Sequence, residues 1–176
     1  MSEESKNICQ YLTFQQNKEV FGIDIRYIKE VLEIREITSI PRSSEFMRGV
    51  INLRGQVVPV IDLKLKFGLE KTDFTVDTCI IILELKIAEE LCLFGALADS
   101  VREVIDLDED SIAPPPKIGS NVDTAFIYGV GKFEDNFVVI LDALKLCTYE
   151  EMDVIHDIAE SELVGEQLPI EQSTIE

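Results

Sequence analysis

Two stretches of this chain can be laid over one another without breaking their spacing: FGIDIRYIKEVLEI at residues 21–34 and FGALADSVREVIDL at residues 94–107. Phe-Gly meets Phe-Gly, Ile28-Lys29-Glu30-Val31 meets Val101-Arg102-Glu103-Val104, and Glu33-Ile34 meets Asp106-Leu107. Upstream, ICQYLTF from Ile8 falls opposite IILELKI from Ile81. Downstream, Gly49-Val50 falls opposite Gly129-Val130, and QVVPVID from Gln56 opposite NFVVILD from Asn136. A match that keeps its order over this much chain makes the molecule two related halves, so any element assigned to one half must also suit the other. The second half differs mainly in a longer loop that carries APPPKIGSN.

Within each half the pattern is that of strands. Apolar segments at residues 8–14 and 79–87 are followed by short charged turns, QNKE and AEE, and by second segments at 20–23 and 91–97 that contain the Phe-Gly. Partly alternating, Val- and Ile-rich runs come next, around 31–37 and 101–107. Last are two strands joined by a tight turn, 49–53 with 56–61 and 127–133 with 137–141. About five short strands per half would leave an open sheet with exposed edges, and closing each half into a small barrel removes them. The predicted class is therefore mainly all-β, with a first lobe at about residues 8–75 and a second at about 76–147.

Two helices are expected beside the strands. IDIRYIKEVL places Ile25, Ile28 and Leu32 at helical spacing behind Asp24 as N-cap, which predicts a short helix near 24–32 leading into a strand. TYEEMDVIHDIAESELV opens with Thr148 and Glu151 as a capping box and sets Met152, Ile155 and Ala159 on one face. That predicts an amphipathic helix over 148–164, packed back on the lobes. Residues 1–7 and 165–176 read as a flexible N-terminus and an acidic tail. Pro41 and Pro59 favour sheet edges or strand starts over central ladder positions.

Charge and residue chemistry narrow the function. The net charge is −18, and no Lys or Arg occurs from Thr148 to Glu176. Such a chain gains nothing from counterion release on nucleic acid and is repelled by anionic lipid. MSEESKNICQ lacks the apolar core of a signal peptide, and the longest apolar runs are broken by Arg54, Asp62 or Glu84, which points to a cytoplasmic protein. Cys9, Cys79, Cys92 and Cys147 are scattered, and His156 is the single histidine, so reduced thiols are expected, with no metal and no cofactor. Asp24, Asp62 and Asp142 each follow a strand and read as caps. No P-loop, G-x-S-x-G or H-E-x-x-H occurs. An interaction module and a small-barrel enzyme working through scattered carboxylates are the rival readings. The second lacks a recognisable nucleophile with its base.

GVINLRGQVVPVIDL, residues 49–63, puts an arginine and a glycine in the middle of an apolar run. An unpaired charge does not survive in a core, so Arg54-Gly55 is the tip of a hairpin, with the glycine supplying positive φ. The other half makes the same turn with Glu134-Asp135, so a turn does not require arginine. Arg54 is thus an exposed cation at the end of an apolar hairpin, a residue type enriched in binding hot spots.

FGIDIRYIKEV, MRGVINLRGQVVPVIDLKLKFGL, FGALADSVREVIDLDEDSIAPPP and YGVGKFEDNFVVILDALKL together resemble the CheW family of bacterial chemotaxis coupling proteins, over about residues 8–152. The resemblance implies two intertwined, SH3-like, five-stranded barrels and no catalysis. It implies a protein that bridges the cytoplasmic tip of a methyl-accepting chemoreceptor and the regulatory domain of the histidine kinase CheA, held through receptors at the inner face of the membrane. Further copies of the family are candidate third partners, and a coupler for a related non-chemotactic kinase pathway is the alternative. With no phosphoacceptor, ATP-binding or receiver segment attached, a standalone coupler is expected. Carried over by position, receptor contacts fall on Ile28, Glu30, Gly49 and Arg54, with Val31 beside Ile28 in an apolar groove flanked by the two charges. The kinase-facing surface is expected mainly on the other barrel, near Cys79 and Ile80.

Overall fold

The computed structural model describes residues 7–41, 45–115 and 124–146. Its strands follow the order β1 (Ile8–Gln16), β2 (Glu19–Asp24), β3 (Ile28–Glu33), β4 (Met47–Leu53), β5 (Gln56–Ile61), β6 (Cys79–Ile87), β7 (Glu90–Ala98), β8 (Ser100–Asp108), β9 (Ile127–Phe133) and β10 (Asn136–Leu141), with one short helix α1 (Leu63–Lys66). They form two five-stranded sheets, β8-β1-β2-β10-β9 and β3-β6-β7-β5-β4, here barrel A and barrel B. The helix over 148–164, the acidic tail, Cys147 and His156 lie outside the described residues.

Neither half of the repeat closes on its own. Each barrel takes the first hairpin of one half and the remaining three strands of the other: β1–β2 joins β8, β9 and β10, while β6–β7 joins β3, β4 and β5. The exchange is made where β2 meets β10 and β7 meets β5, both in parallel, at Ile140↔Gly22 and Val60↔Gly95. This explains the repeated Phe-Gly. Phe21 and Phe94 are buried in the apolar layer between the barrels. A Cβ at Gly95 would stand 2.6 Å from Ile80 Cγ2, inside barrel B. The core accordingly has three parts: Ile51, Val58, Val60, Ile80, Ile82 and Leu97 fill barrel B, and Tyr11, Ile105, Leu107, Val138 and Ile140 fill barrel A. The third and largest, with Phe14, Phe21, Ile61, Leu83 and Phe94, joins the two. Lys64 crosses the same boundary, its Nζ donating to Asn17 Oδ1 at 3.1 Å and Asp99 Oδ2 at 3.0 Å.

Two local expectations change. The helix near 24–32 is a single 3-10 turn, Ile25–Tyr27, capped by Asp24, and Ile28 already starts β3. The β-branched residues Ile28 and Val31 suit a ladder, and pairing with β6 satisfies backbone groups that an isolated short helix would leave open. Pro59 lies inside β5, between β4 and β7. Its partner on β4, Val50, turns both backbone groups toward Thr38, so Pro59 makes no ladder bond to β4, and pairing with β7 begins only at Val60. A missing N–H leaves nothing unsatisfied there.

Each barrel is sealed by one small bridge. Thr38 and Val50 exchange two backbone bonds of 2.9 Å, and Ala113 and Val130 exchange bonds of 2.9 and 2.8 Å. The residue before each sealed valine is glycine. A Cβ at Gly49 would stand 2.1 Å from the Thr38 carbonyl oxygen, and one at Gly129 would stand 2.5 Å from that of Ala113. Gly49 also holds φ 145°, which disfavours any side chain. Gly49→Ala or Gly129→Ala should therefore cost on the order of 3 kcal/mol, read as a lower midpoint in urea. A midpoint equal to that of the parent would show that the bridges do not seal the barrels.

Candidate functional site

Arg54 and Gly55 form the two-residue turn between β4 and β5, with Leu53 opposite Gln56 and φ of 52° and 83° at the tip. Both central residues are left-handed, as a type I′ hairpin requires, and Asn52 Oδ1 accepts from Gly55 N at 2.8 Å to brace it. An arginine gains nothing in that conformation, but Ala88-Glu89 and Glu134-Asp135 adopt it too, so backbone strain does not single out Arg54.

What singles it out is its partner. Arg54 Nη1 donates to Glu30 Oε2 at 2.7 Å and Nη2 to Oε1 at 3.0 Å, a two-pronged pair with the guanidinium 70% and the carboxylate 22% exposed. The pair spans the barrel seam from β3 to the β4–β5 turn, beyond the Thr38–Val50 bridge. Bonds from Arg54 hold the Glu30 carboxyl below the usual glutamate range. In the repeat the corresponding residues are Glu103 and Glu134, both acidic, and both border one shallow depression at the mouth of barrel A. The charge pair therefore belongs to barrel B alone and was not carried over by duplication.

A bulge in the β3–β6 ladder between Ile28 and Glu30 sets the neighbouring side chains. Ile28 and Val31 pair with Leu83 and Ile81, which belong to the layer between the barrels, whereas Glu30 and Leu32 pair with Ile82 and Ile80 of the barrel B interior. Ile28 is half-buried against the central layer, and Val31 is exposed. Of the expected receptor-facing residues, the structure thus brings Glu30 and Arg54 into contact and places Ile28 and Val31 on the opposite side of the same strand. Gly49 is buried and serves the seal described above.

The expected kinase-facing pair lies elsewhere than foreseen. Because the hairpins are exchanged, β6 pairs with β3 inside barrel B, with Cys79 opposite Glu33 and Ile80 opposite Leu32. Ile80 is fully buried in the barrel interior and offers no surface. Cys79 is half-buried, its thiol donating to the Asp77 carbonyl at 3.3 Å.

The aspartates that follow strands are caps, as expected, accepting from Arg26 N at 2.9 Å (Asp24), Lys64 N at 3.1 Å (Asp62) and Leu144 N at 3.1 Å (Asp142). Asp62 does more than the sequence disclosed. It is fully buried and also accepts from Arg48 Nη1 at 3.0 Å, Thr72 N at 2.9 Å and Thr72 Oγ1 at 2.7 Å. Arg48 donates to the Thr72 carbonyl at 2.9 Å and stacks over Phe74 at 4.5 Å. Each charge in this cluster is paired, which makes it a clamp on the connection between α1 and β6.

A model of the CheW-like domain matches residues 10–151. The chain is 30% identical to the chemotaxis protein CheW of Klebsiella aerogenes, over 86% of this chain and 89% of that one. It is 31% identical to the chemotaxis protein CheW of Bacillus subtilis, over 81% and 89%. Among solved structures it resembles the scaffolding protein TtCheW of Thermoanaerobacter tengcongensis, with a TM-score of 0.71 and 39% identity over 81% of this chain and 94% of that one. The site's electrostatics are open to direct measurement. By NMR titration Glu30 should ionise below an ordinary glutamate and return to the ordinary range in Arg54→Ala. Whatever stability the pair contributes is present above the unfolded-state value and lost as pH falls through the lowered one. An unmoved Glu30 in that variant would mean the pair does not persist in solution.

Proposed function

The chain belongs to the CheW family of non-catalytic chemotaxis adaptors, and we propose that the two macromolecules it joins are the cytoplasmic tip of a methyl-accepting chemoreceptor and the regulatory domain of the histidine kinase CheA. No helix among the described residues is long and apolar enough to cross a membrane. In this proposal the receptor supplies the attachment to the inner face of the membrane.

The observation that carries the receptor side is the exposed Arg54–Glu30 pair at the rim of barrel B, with Val31 exposed and Ile28 half-exposed on the same strand. The pair and these apolar residues occupy opposite faces of β3, so the charges at the rim carry the docking of a receptor helix and Val31 offers a separate apolar contact. The pair is also available to be read. An exposed pair contributes little to stability, so a partner's charges can compete for it at little cost. Rim charges of this kind mainly guide encounter and register, which makes the receptor step sensitive to salt. For the kinase side, burial of Ile80 leaves the half-buried Cys79 as the one member of the expected pair that reaches the surface, and we place the kinase contact on the surface around the start of β6.

Charge reversal separates recognition from stability. Arg54→Glu sets two carboxylates face to face and should reduce capture by a receptor cytoplasmic fragment at least tenfold, with the far-UV CD spectrum and binding to a CheA regulatory domain retained. The swapped double variant Glu30→Arg with Arg54→Glu restores a pair of reversed polarity. If the receptor reads the pair's polarity, the swap stays defective in capture. Recovery of capture would show that the pair only holds the barrel rim together, and full capture by Arg54→Glu alone would remove the site.

A further inference from the structure

We propose that Asn52 is a positioning residue for the Arg54–Glu30 pair: its side chain holds the β4–β5 turn in the conformation that aims Arg54 across the seam of barrel B. The inference rests on the reading that a receptor recognises this pair, and it adds the residue that sets the pair's geometry.

The starting point is a conflict within the turn. A two-residue loop between twisted strands favours the type I′ form, with both central residues left-handed. Arg54-Gly55 does not by itself ask for that form. A side chain first and glycine second is the pattern of a type II turn, in which the first central residue keeps φ near about −60°. The structure instead has φ of 52° at Arg54 and 83° at Gly55. Glycine takes a positive φ at no steric cost, whereas at Arg54 the Cβ crowds the following carbonyl oxygen. The two turn types set the Arg54 Cα–Cβ bond in different directions, so the choice between them decides where the guanidinium can reach.

Asn52 acts on that choice. Ile51 and Leu53 on either side of it are buried in barrel B, and Asn52 faces outward. From there its Oδ1 accepts from Gly55 N at 2.8 Å. This bond takes hold of the peptide unit between Arg54 and Gly55. With that unit fixed, Arg54 reaches over the seam and donates from Nη1 and Nη2 at 2.7 and 3.0 Å to the two Glu30 oxygens.

Two other hairpins show that the turn itself does not need the bond. Ala88-Glu89, with φ of 51° and 65°, and Glu134-Asp135, with φ of 49° and 67°, are left-handed at both central positions as well. The place of Asn52 is taken by Lys86 in the first, where Ile87 pairs with Glu90, and by Lys132 in the second, where Phe133 pairs with Asn136. An ammonium has three donors and no acceptor, so neither lysine can make the bond that Asn52 makes. The acceptor accompanies the arginine rather than the turn. Lys132, the repeat counterpart of Asn52, stands where Glu103 and Glu134 replace Glu30 and Arg54, and there is no arginine to aim.

NMR on the full chain tests this with Asn52→Ala, which removes the acceptor, and Asn52→Asp, which keeps it. In Asn52→Ala the Gly55 amide should exchange at least tenfold faster. The Glu30 ionisation should rise through at least half the interval that separates the parent from Arg54→Ala. Capture by a receptor cytoplasmic fragment should fall at least threefold, with the urea midpoint unchanged. Asn52→Asp should keep the slow Gly55 exchange and the left-handed φ of Arg54, read from its HN–Hα coupling. Parent-like Gly55 exchange or parent-like Glu30 ionisation in Asn52→Ala would overturn the proposal, and so would fast exchange in Asn52→Asp. A fall in urea midpoint as large as that of Gly49→Ala would make Asn52 a folding residue instead. The Glu30 measurement involves no receptor, so it decides the positioning role even if Arg54→Glu keeps full capture and the receptor reading falls.

Discussion

The exchange of hairpins between the two barrels is the constraint from which the rest follows. A five-stranded barrel made from one half alone would need a connection from its second strand to its third that stays on the same barrel. Here the chain leaves after β2 through the 3-10 turn at Ile25–Tyr27 and enters the other sheet as β3. The same step recurs after β7, where Asp99 separates it from β8. The parallel pairs at Gly22 and Gly95 bring the borrowed strands into register, and the apolar layer with Phe14, Phe21 and Phe94 removes the remaining apolar faces from water. Each barrel is complete only because the other is.

That arrangement also fixes where function can sit. Duplication gives both barrels the same seal, the same cap and the same hairpin, so features shared by both halves answer to folding. Gly49 with Gly129 and Asp62 with Asp142 are of this kind. Differences between equivalent positions are what the fold does not require. The Arg54–Glu30 pair against Glu103 and Glu134, and Arg48 against Tyr128, are the two clearest departures.

Much of this was legible in the chain because strand periodicity and turn chemistry are local. The repeat, the strands, the Arg54-Gly55 turn and the three capping aspartates follow from neighbouring residues. What was not legible depends on pairing at long range. Ile25, Ile28 and Leu32 carry a helical period, yet a ladder of five residue pairs between β3 and β6 outweighed it. Exchange put Cys79 and Ile80 in the barrel of Glu30 and buried Ile80, which no local pattern of CIIILELKI reveals. Gly49 carried a functional expectation by family position, and only the approach of the Thr38 carbonyl shows its structural part. The Arg48–Asp62–Thr72 clamp was hidden for the same reason: its members lie 14 and 10 residues apart and meet only after β4 and β5 have paired.

The pairing of Ile8 with Asp108 has a temporal side. The earliest of the described strands belongs, with β2, to a sheet whose remaining members, β8 to β10, are the last described strands to be made. Until then the β1–β2 hairpin keeps an unpaired edge on each side, the condition under which sheets join neighbouring chains. Barrel B, whose last strand is β7, can close first and offer the waiting hairpin an apolar surface to lie on. Order of synthesis and order of assembly thus run opposite ways, and the earliest described strand is the one most in need of the latest.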